Sequence, residues 1–300
     1  MVNALFFTLL TLIWGTTWYA IEFQLGVVPQ AWSVSYRFSL AALILFVLAV
    51  ALRQPLRYPA LHHRLFAATG AAIFCFNYLL VYYGTAYLTS GLVAVAFSAL
   101  SLFNLMNGRL LLKQPLAPAM LLGAVCGTAG LVLVFWPEVR QLSLADDGLL
   151  GLLLVIGAAF TASLGSTFLA SERARRVPKL PLNAWSMAYG GLIMAGVALI
   201  SQGAPVLDTR PSYVWSLAYL VLWGTVLSFT LLLMLIDRIG LGPSGYVAVM
   251  TPLVALIIST VFEGYEWTPL AILGIALVLC GNILIRLRRG SKVQLIKRSV

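Results

Sequence analysis

Few side chains in this sequence could do chemistry, and they are spread thinly through apolar residues. Arg37 is the most informative, because it follows the phrase AWSVSY at 31–36 with no acid beside it. A guanidinium there could grip a carboxylate, or it could be tied to Glu22 or to helix carbonyls as a fixed cation. Trp14, Asn77, Tyr78, Tyr82, Ser98, Ser101, Thr161, Ser163, Trp223 and Ser228 add aromatic faces, an amide and hydroxyls. Such a set suits a modest organic solute with an apolar body and polar ends. Taken singly, each could equally pack, with Ser and Thr bonding back to helix carbonyls. The stretch GPSG at 242–245 has the outline of a membrane serine hydrolase around Ser244. Its general base would have to be His62 or His63, which lie in a polar loop with no reason to come within hydrogen-bond reach. Carboxylate pairs, phosphate loops and zinc-helix motifs are missing from the sequence, so neither an enzyme nor a cofactor is expected.

The elements that position these residues follow from composition. Of 300 residues, 61% are hydrophobic and 9% charged, and the mean hydropathy is +0.98. A soluble domain carries roughly 25% charged residues to face water; this surface must face lipid. Apolar runs fall at 3–21, 32–52, 65–88, 90–112, 118–136, 148–170, 182–201, 214–236, 243–262 and 268–286. Each approaches the ~20 residues that span a hydrocarbon core as a helix. The first run lacks a basic start and a small-residue cleavage site, so it reads as a permanent helix. Cys75, Cys126 and Cys280 lie inside apolar runs as small hydrophobes, implying no disulfide framework and no metal.

The net charge of +10 is a topology signal. All Lys and Arg except Arg37, Arg140 and Arg210 fall in the even-numbered connections or the carboxyl tail, whereas most acids fall in the odd ones. The positive-inside bias places both termini in the cytoplasm of a bacterial inner-membrane protein. A lipid bilayer, and no nucleic acid, is the expected partner of that charge.

The phrase AWSVSY returns as AWSMAY at 184–189. Collinear with it, WGTTWYAIE (14–22) matches LGSTFLASE (164–172), TSGLVAV (89–95) matches PSGYVAV (243–249), and APAMLLGAVCGTAG (117–130) matches TPLAILGIALVLCG (268–281). The last pair aligns Gly123 with Gly274 and Gly130 with Gly281. A duplication of five helices each inverts the second copy, the arrangement of many secondary transporters whose substrate sits near the midplane between copies. The expected fold is all-α, with ten transmembrane helices as two inverted five-helix repeats. Its parts are a first repeat at 1–136, a periplasmic connection at 137–147, a second repeat at 148–286 and a basic tail at 287–300. Trp32 and Trp185 read as interfacial anchors at opposite faces. Pro252, deep in the ninth helix, frees the carbonyl of Ala248 and marks a hinge. Gly123 and Gly127 read as a close-packing pair, inside the chain or at the seam of a homodimer.

Trp14-Gly15 in the first helix, Arg37-Phe38 early in the second and the two glycine-spaced closing helices resemble the drug/metabolite transporter superfamily, EamA type, over almost the whole chain. Members often carry Gly-Glu after the fourth helix; this sequence reads Leu112-Lys113-Gln114 there. The resemblance implies a secondary transporter of small molecules working by alternating access. Its nearest likeness is to bacterial exporters of aromatic and other neutral amino acids, with permeases for other amphiphilic metabolites or drugs as the alternative. No Asp or Glu falls near the midplane, so little or no proton coupling is expected.

Overall fold

The computed structural model describes residues 2–111, 118–134, 136, 147–169, 171–239 and 247–297, and among them there is no strand. Ser244 and most of the 137–147 connection lie outside the described residues, as do the side chains of Ser101 and Ala248. In a bilayer every backbone polar group needs an internal partner, which a helix supplies within its own segment. The first copy holds α1 (Val2–Glu22), α2 (Gln30–Ala51), α3 (Ala60–Thr69), π1 (Gly70–Asn77), α4 (Tyr78–Thr85), α5 (Ser90–Phe97), α6 (Leu100–Leu110) and α7 (Pro118–Val134). The second holds α8 (Asp147–Leu169), the short α9 (Glu172–Arg175), α10 (Lys179–Gln202), α11 (Pro211–Val221), π2 (Leu222–Leu227), α12 (Ser228–Ile239), α13 (Val247–Phe262) and α14 (Pro269–Lys297). Among the described residues, seven spans are long and apolar enough to cross a membrane, with shorter apolar helices at Leu121–Val134, Met250–Phe262 and Pro269–Gly281.

Two details depart from a plain reading of ten uniform helices. The third span of each copy widens in its middle into a π segment, π1 or π2. The fourth span of the first copy breaks at a turn where Ser98 N–H bonds Val95 O at 3.0 Å. Both irregularities sit inside the bundle, where neighbouring helices can satisfy freed backbone groups.

Helices pack across the copies. α2 lies along α10 and α7 along α14. α1 packs on α12 and α13, and its counterpart α8 packs on π1–α4 and α5–α6. Glycines fix how closely these helices approach. A Cβ on Gly281 would lie 2.4 Å from Gly123 O, and one on Gly130 would lie 2.4 Å from Gly274 O. Because Gly123 matches Gly274 and Gly130 matches Gly281, these two contacts exchange when the copies are exchanged. The Gly123–Gly127 pair therefore serves the α7/α14 seam inside the chain.

The tryptophans of the doubled phrase do more than anchor. Trp32 donates its indole N–H to Gly203 O at 3.2 Å, and Trp185 donates to Leu56 O at 3.1 Å. Each indole thus ties down the connection that follows the second helix of the other copy. The tyrosines that close the phrase behave alike: Tyr36 Oη donates to Val206 O at 3.0 Å, and Tyr189 Oη pairs with His63 Nδ1 at 3.1 Å. His63 is on α3, engaged in this frame. In the loop that Tyr36 reaches, Arg210 bonds Asp208 through its side chain (Nε–Oδ2 2.7 Å) and holds that carboxyl below the usual carboxylate range.

Candidate functional site

Arg37 is 1% exposed, in the interior of the bundle. Its Nε donates to Thr225 Oγ1 at 3.1 Å, and its guanidinium carbon lies 4.7 Å from the Tyr78 ring centre and 5.3 Å from that of Phe38. Nη1 makes no hydrogen bond, and among the described residues no carboxylate forms an ion pair with Arg37. Of the alternatives open from the sequence, the tie to Glu22 is not made: Glu22 ends α1 and faces Glu263 instead. Cation–π contact recovers roughly 0.5–2 kcal/mol, against roughly 2.5–3.5 kcal/mol for an arginine at the centre of a membrane helix. A buried cation left in this condition is short of an anion.

Local geometry explains how Thr225 reaches it. Within π2 the Thr225 hydroxyl donates to Leu220 O, five residues back, at 2.8 Å. That bond uses its only proton, so the oxygen is left to accept from Arg37. Gly224 allows the close approach, since a Cβ there would lie 2.8 Å from Thr17 Cγ2 and 3.5 Å from Arg37 Nη2. Arg37 thus sits where α1, α2, α4 and π2 meet.

From Arg37 a chain of ring contacts runs through the bundle. Tyr78 meets Phe38 at 4.6 Å, Phe38 meets Phe74 at 5.2 Å, Phe74 meets Phe229 at 5.7 Å, and Phe229 meets Trp14 at 5.8 Å. These edge and tilted contacts span α4, α2, π1, α12 and α1. The buried hydroxyl of Tyr82, one turn beyond Tyr78, faces Arg37 without closing a hydrogen bond of good geometry. Asn77 spends its amide N–H on Ile73 O at 3.1 Å and leaves Oδ1 unpartnered. Trp18, one turn after Trp14, packs on Phe97 at 5.3 Å and has an unpartnered indole N–H. Unsatisfied buried polar atoms are rare in native proteins, and each asks for a partner.

The other sequence candidates are placed differently. Trp223 is 46% exposed and stacks on Tyr219 at 6.1 Å, on the outside of the bundle. The inward orientation expected from the sequence is not found, because lipid accepts an indole as readily as the interior does. Thr161 bonds back to Ala158 O at 2.9 Å, Ser163 accepts from Asn107 Nδ2 at 2.9 Å, and Ser228 bonds back to Gly224 O at 2.8 Å. These hydroxyls are satisfied locally. Ser98 is half-buried at the α5–α6 turn. Pro252 is buried within a continuous α13, one residue after Thr251, whose carbonyl approaches Gly15 of α1. A shallow groove of about 490 Å³ between α1 and α11, lined in part by Tyr19, Phe23 and the well-exposed Trp215, does not include Arg37. The residues that the sequence reading missed as site candidates are Thr17, Trp18, Phe74, Gly224, Thr225 and Phe229, while Phe38 entered it only as part of the Arg37-Phe38 motif. Of these, Trp18 alone carried a signal, a second tryptophan one turn from Trp14.

The family model of the EamA-like transporter family matches residues 1–136 and again residues 149–287. The chain belongs to that family. Like others of its kind it is a multi-pass membrane transporter of small molecules, not an enzyme. Similar proteins include the uncharacterized transporter YoaV of Bacillus subtilis, 23% identical over 90% of this chain and 92% of its own length. The protein PagO of Salmonella typhimurium is 23% identical over 97% of this chain and 94% of its own length. PecM of Dickeya dadantii is 24% identical over 70% and 69%. A solved crystal structure, 18% identical, covers 96% of this chain and 98% of its own with a TM-score of 0.68, so the two chains share a fold.

Proposed function

We propose that this EamA-like transporter exports aromatic and other neutral amino acids across the bacterial inner membrane by alternating access. The observation that carries the reading is the buried Arg37, paired with no acid among the described residues, at the end of the ring chain from Trp14 to Tyr78. A guanidinium in this state is a receptor for a carboxylate, and the rings beside it suit an apolar or aromatic side chain. Tyr82, Asn77 and Trp18 offer an oxygen, an amide oxygen and an N–H to the remaining polar atoms of a zwitterion.

In this reading residues 1–136 and 148–286 oppose each other across the bilayer, both termini face the cytoplasm, and Pro252 lets α13 flex as the copies rock. The exchange-symmetric contacts of α2 with α10 and α7 with α14 support that motion, because each copy rests on the same surface of the other. Transport is downhill, as the ring chain contains no carboxylate to carry a proton.

Counterflow in proteoliposomes tests the substrate class. Radiolabelled phenylalanine, tyrosine and leucine should each exchange against the same unlabelled compound. If no amino acid exchanges while an amphiphilic drug or metabolite does, the site serves that second class. Uphill accumulation driven by a pH gradient would contradict the downhill mechanism.

A further inference from the structure

At one end of the bundle two carboxyl groups meet across the seam between copies. Glu22 ends α1, and Glu263 follows α13 directly. Glu263 Oε1 accepts from the Ser90 amide at 2.8 Å, and its Oε2 accepts from the Ser90 hydroxyl. Thr89, the residue before α5, makes no side-chain capping bond. Glu263 therefore supplies the cap from the other copy, where the positive end of the helix favours an anion. Glu22 and Glu263 face each other across the seam of α1 and α13, where Tyr19, one turn before Glu22, stacks on Phe262, the residue before Glu263, at 5.4 Å. Two carboxylates facing each other repel, and a single proton held between them turns that repulsion into a hydrogen bond. Since Glu263 already accepts twice from Ser90, the proton belongs on Glu22, which donates it to Glu263.

The surroundings favour this state. Ser259, fully buried on α13, directs a hydroxyl without a good hydrogen bond toward Glu263. Tyr19 on α1 faces both carboxyls, and Tyr265 and the exposed Glu266 stand in the turn after α13. Among the described residues neither Glu22 nor Glu263 forms an ion pair with a basic side chain. Immediately beneath, α5 and α13 are in tight contact, for a Cβ on Gly91 would lie 2.8 Å from Leu256 Cδ2 and 2.9 Å from Ser259 Cβ.

We propose that Glu22 and Glu263 form a proton-binding site that locks the two copies together at this end, and that loss of the shared proton opens the seam between α1, α5 and α13. The step is Glu22–COOH···⁻OOC–Glu263 going to two carboxylates, with the proton released to water. Repulsion between like charges then replaces the hydrogen bond. This proton sets whether the seam is shut; it does not drive the solute. The inference rests on the two-copy carrier reading but is read out without any solute, so the two can fail separately.

The test uses the full chain with Cys75, Cys126 and Cys280 changed to Ala and spin labels at Tyr87→Cys and Trp267→Cys. Pulsed electron resonance measures the distance between labels across a pH series, and infrared difference spectra follow the carbonyl stretch of a protonated carboxyl. The lock gives a protonated-carboxyl band at neutral pH that disappears on alkalinisation together with a shift to longer label distances. Glu22→Gln, which keeps the hydrogen bond without a titrating group, should lose the band and stay at the short distance throughout. No such band at neutral pH, a distance that ignores pH, or alkaline opening that survives Glu22→Gln would each overturn the proposal.

Discussion

α2 and α10 begin with nearly the same phrase, and the structure spends most of it twice in the same way. Trp32 and Trp185 each bond a connection of the opposite copy, and one turn later Tyr36 bonds the same kind of connection while Tyr189 bonds His63 at the start of α3. The next position breaks the match: Arg37 in α2 stands where α10 has Gly190. Both meet the π segment of the other copy's third span. Arg37 bonds Thr225 of π2, whereas Gly190 admits π1 so closely that a Cβ would lie 2.7 Å from Phe74 Cβ. One copy uses the place to hold a cation, the other to bring backbones together. A symmetric frame can rock, and a single asymmetric charge within it can select what is carried.

Removing the charge should have the largest effect. Arg37→Gln is expected to lower kcat/KM for amino-acid counterflow about ten- to hundredfold, from the roughly 1.5–3 kcal/mol of a hydrogen bond to a charged group. Arg37→Lys should recover only part of it, because a lysine lacks the planar fork and stacks less well on Tyr78. The matching change in α10 should act on folding instead. Gly190→Ala overpacks the contact with Phe74 and is expected to cost about 1–3 kcal/mol of stability, seen as a lower midpoint of thermal unfolding in detergent. A Gly190→Ala protein as stable as the parent would show that the two positions do not differ as argued. Smallest are Trp32→Phe and Trp185→Phe, each losing one hydrogen bond of about 0.5–1.5 kcal/mol. Their unfolding midpoints should fall by similar amounts; a large inequality would mean that the frame is less symmetric than its contacts.

Much of the frame was legible in the sequence. Apolar runs marked the seven helices of membrane length and the shorter apolar ones found among the described residues, and the doubled phrases marked which positions of the two copies correspond, Gly123 with Gly274 and Gly130 with Gly281. Of the candidate site, Arg37, Trp14, Asn77, Tyr78 and Tyr82 could be singled out because polar or aromatic residues inside apolar runs stand out against aliphatic neighbours. The rest was hidden for physical reasons. Hydropathy reports depth but not rotation in a protein that is apolar on both its lipid and its core faces, so Trp223 could not be told from Trp14. A π segment changes the hydrogen-bond register without changing composition, so nothing at 222–227 announced that Thr225 would reach Arg37. Phe38, Phe74 and Phe229 look like ordinary packing until the helices are placed beside one another. Glu22 and Glu263 lie in different copies, and only the fold makes them neighbours.

The account turns on Arg37 reading a carboxylate, and one comparison tests that most directly. Counterflow of labelled phenylalanine is measured with unlabelled phenylalanine or phenethylamine, its decarboxylated analogue, as the competing solute. Phenylalanine should compete and phenethylamine should fail in the parent protein, and that discrimination should vanish in Arg37→Gln. Equal competition by both compounds in the parent, or undiminished discrimination in Arg37→Gln, would contradict it.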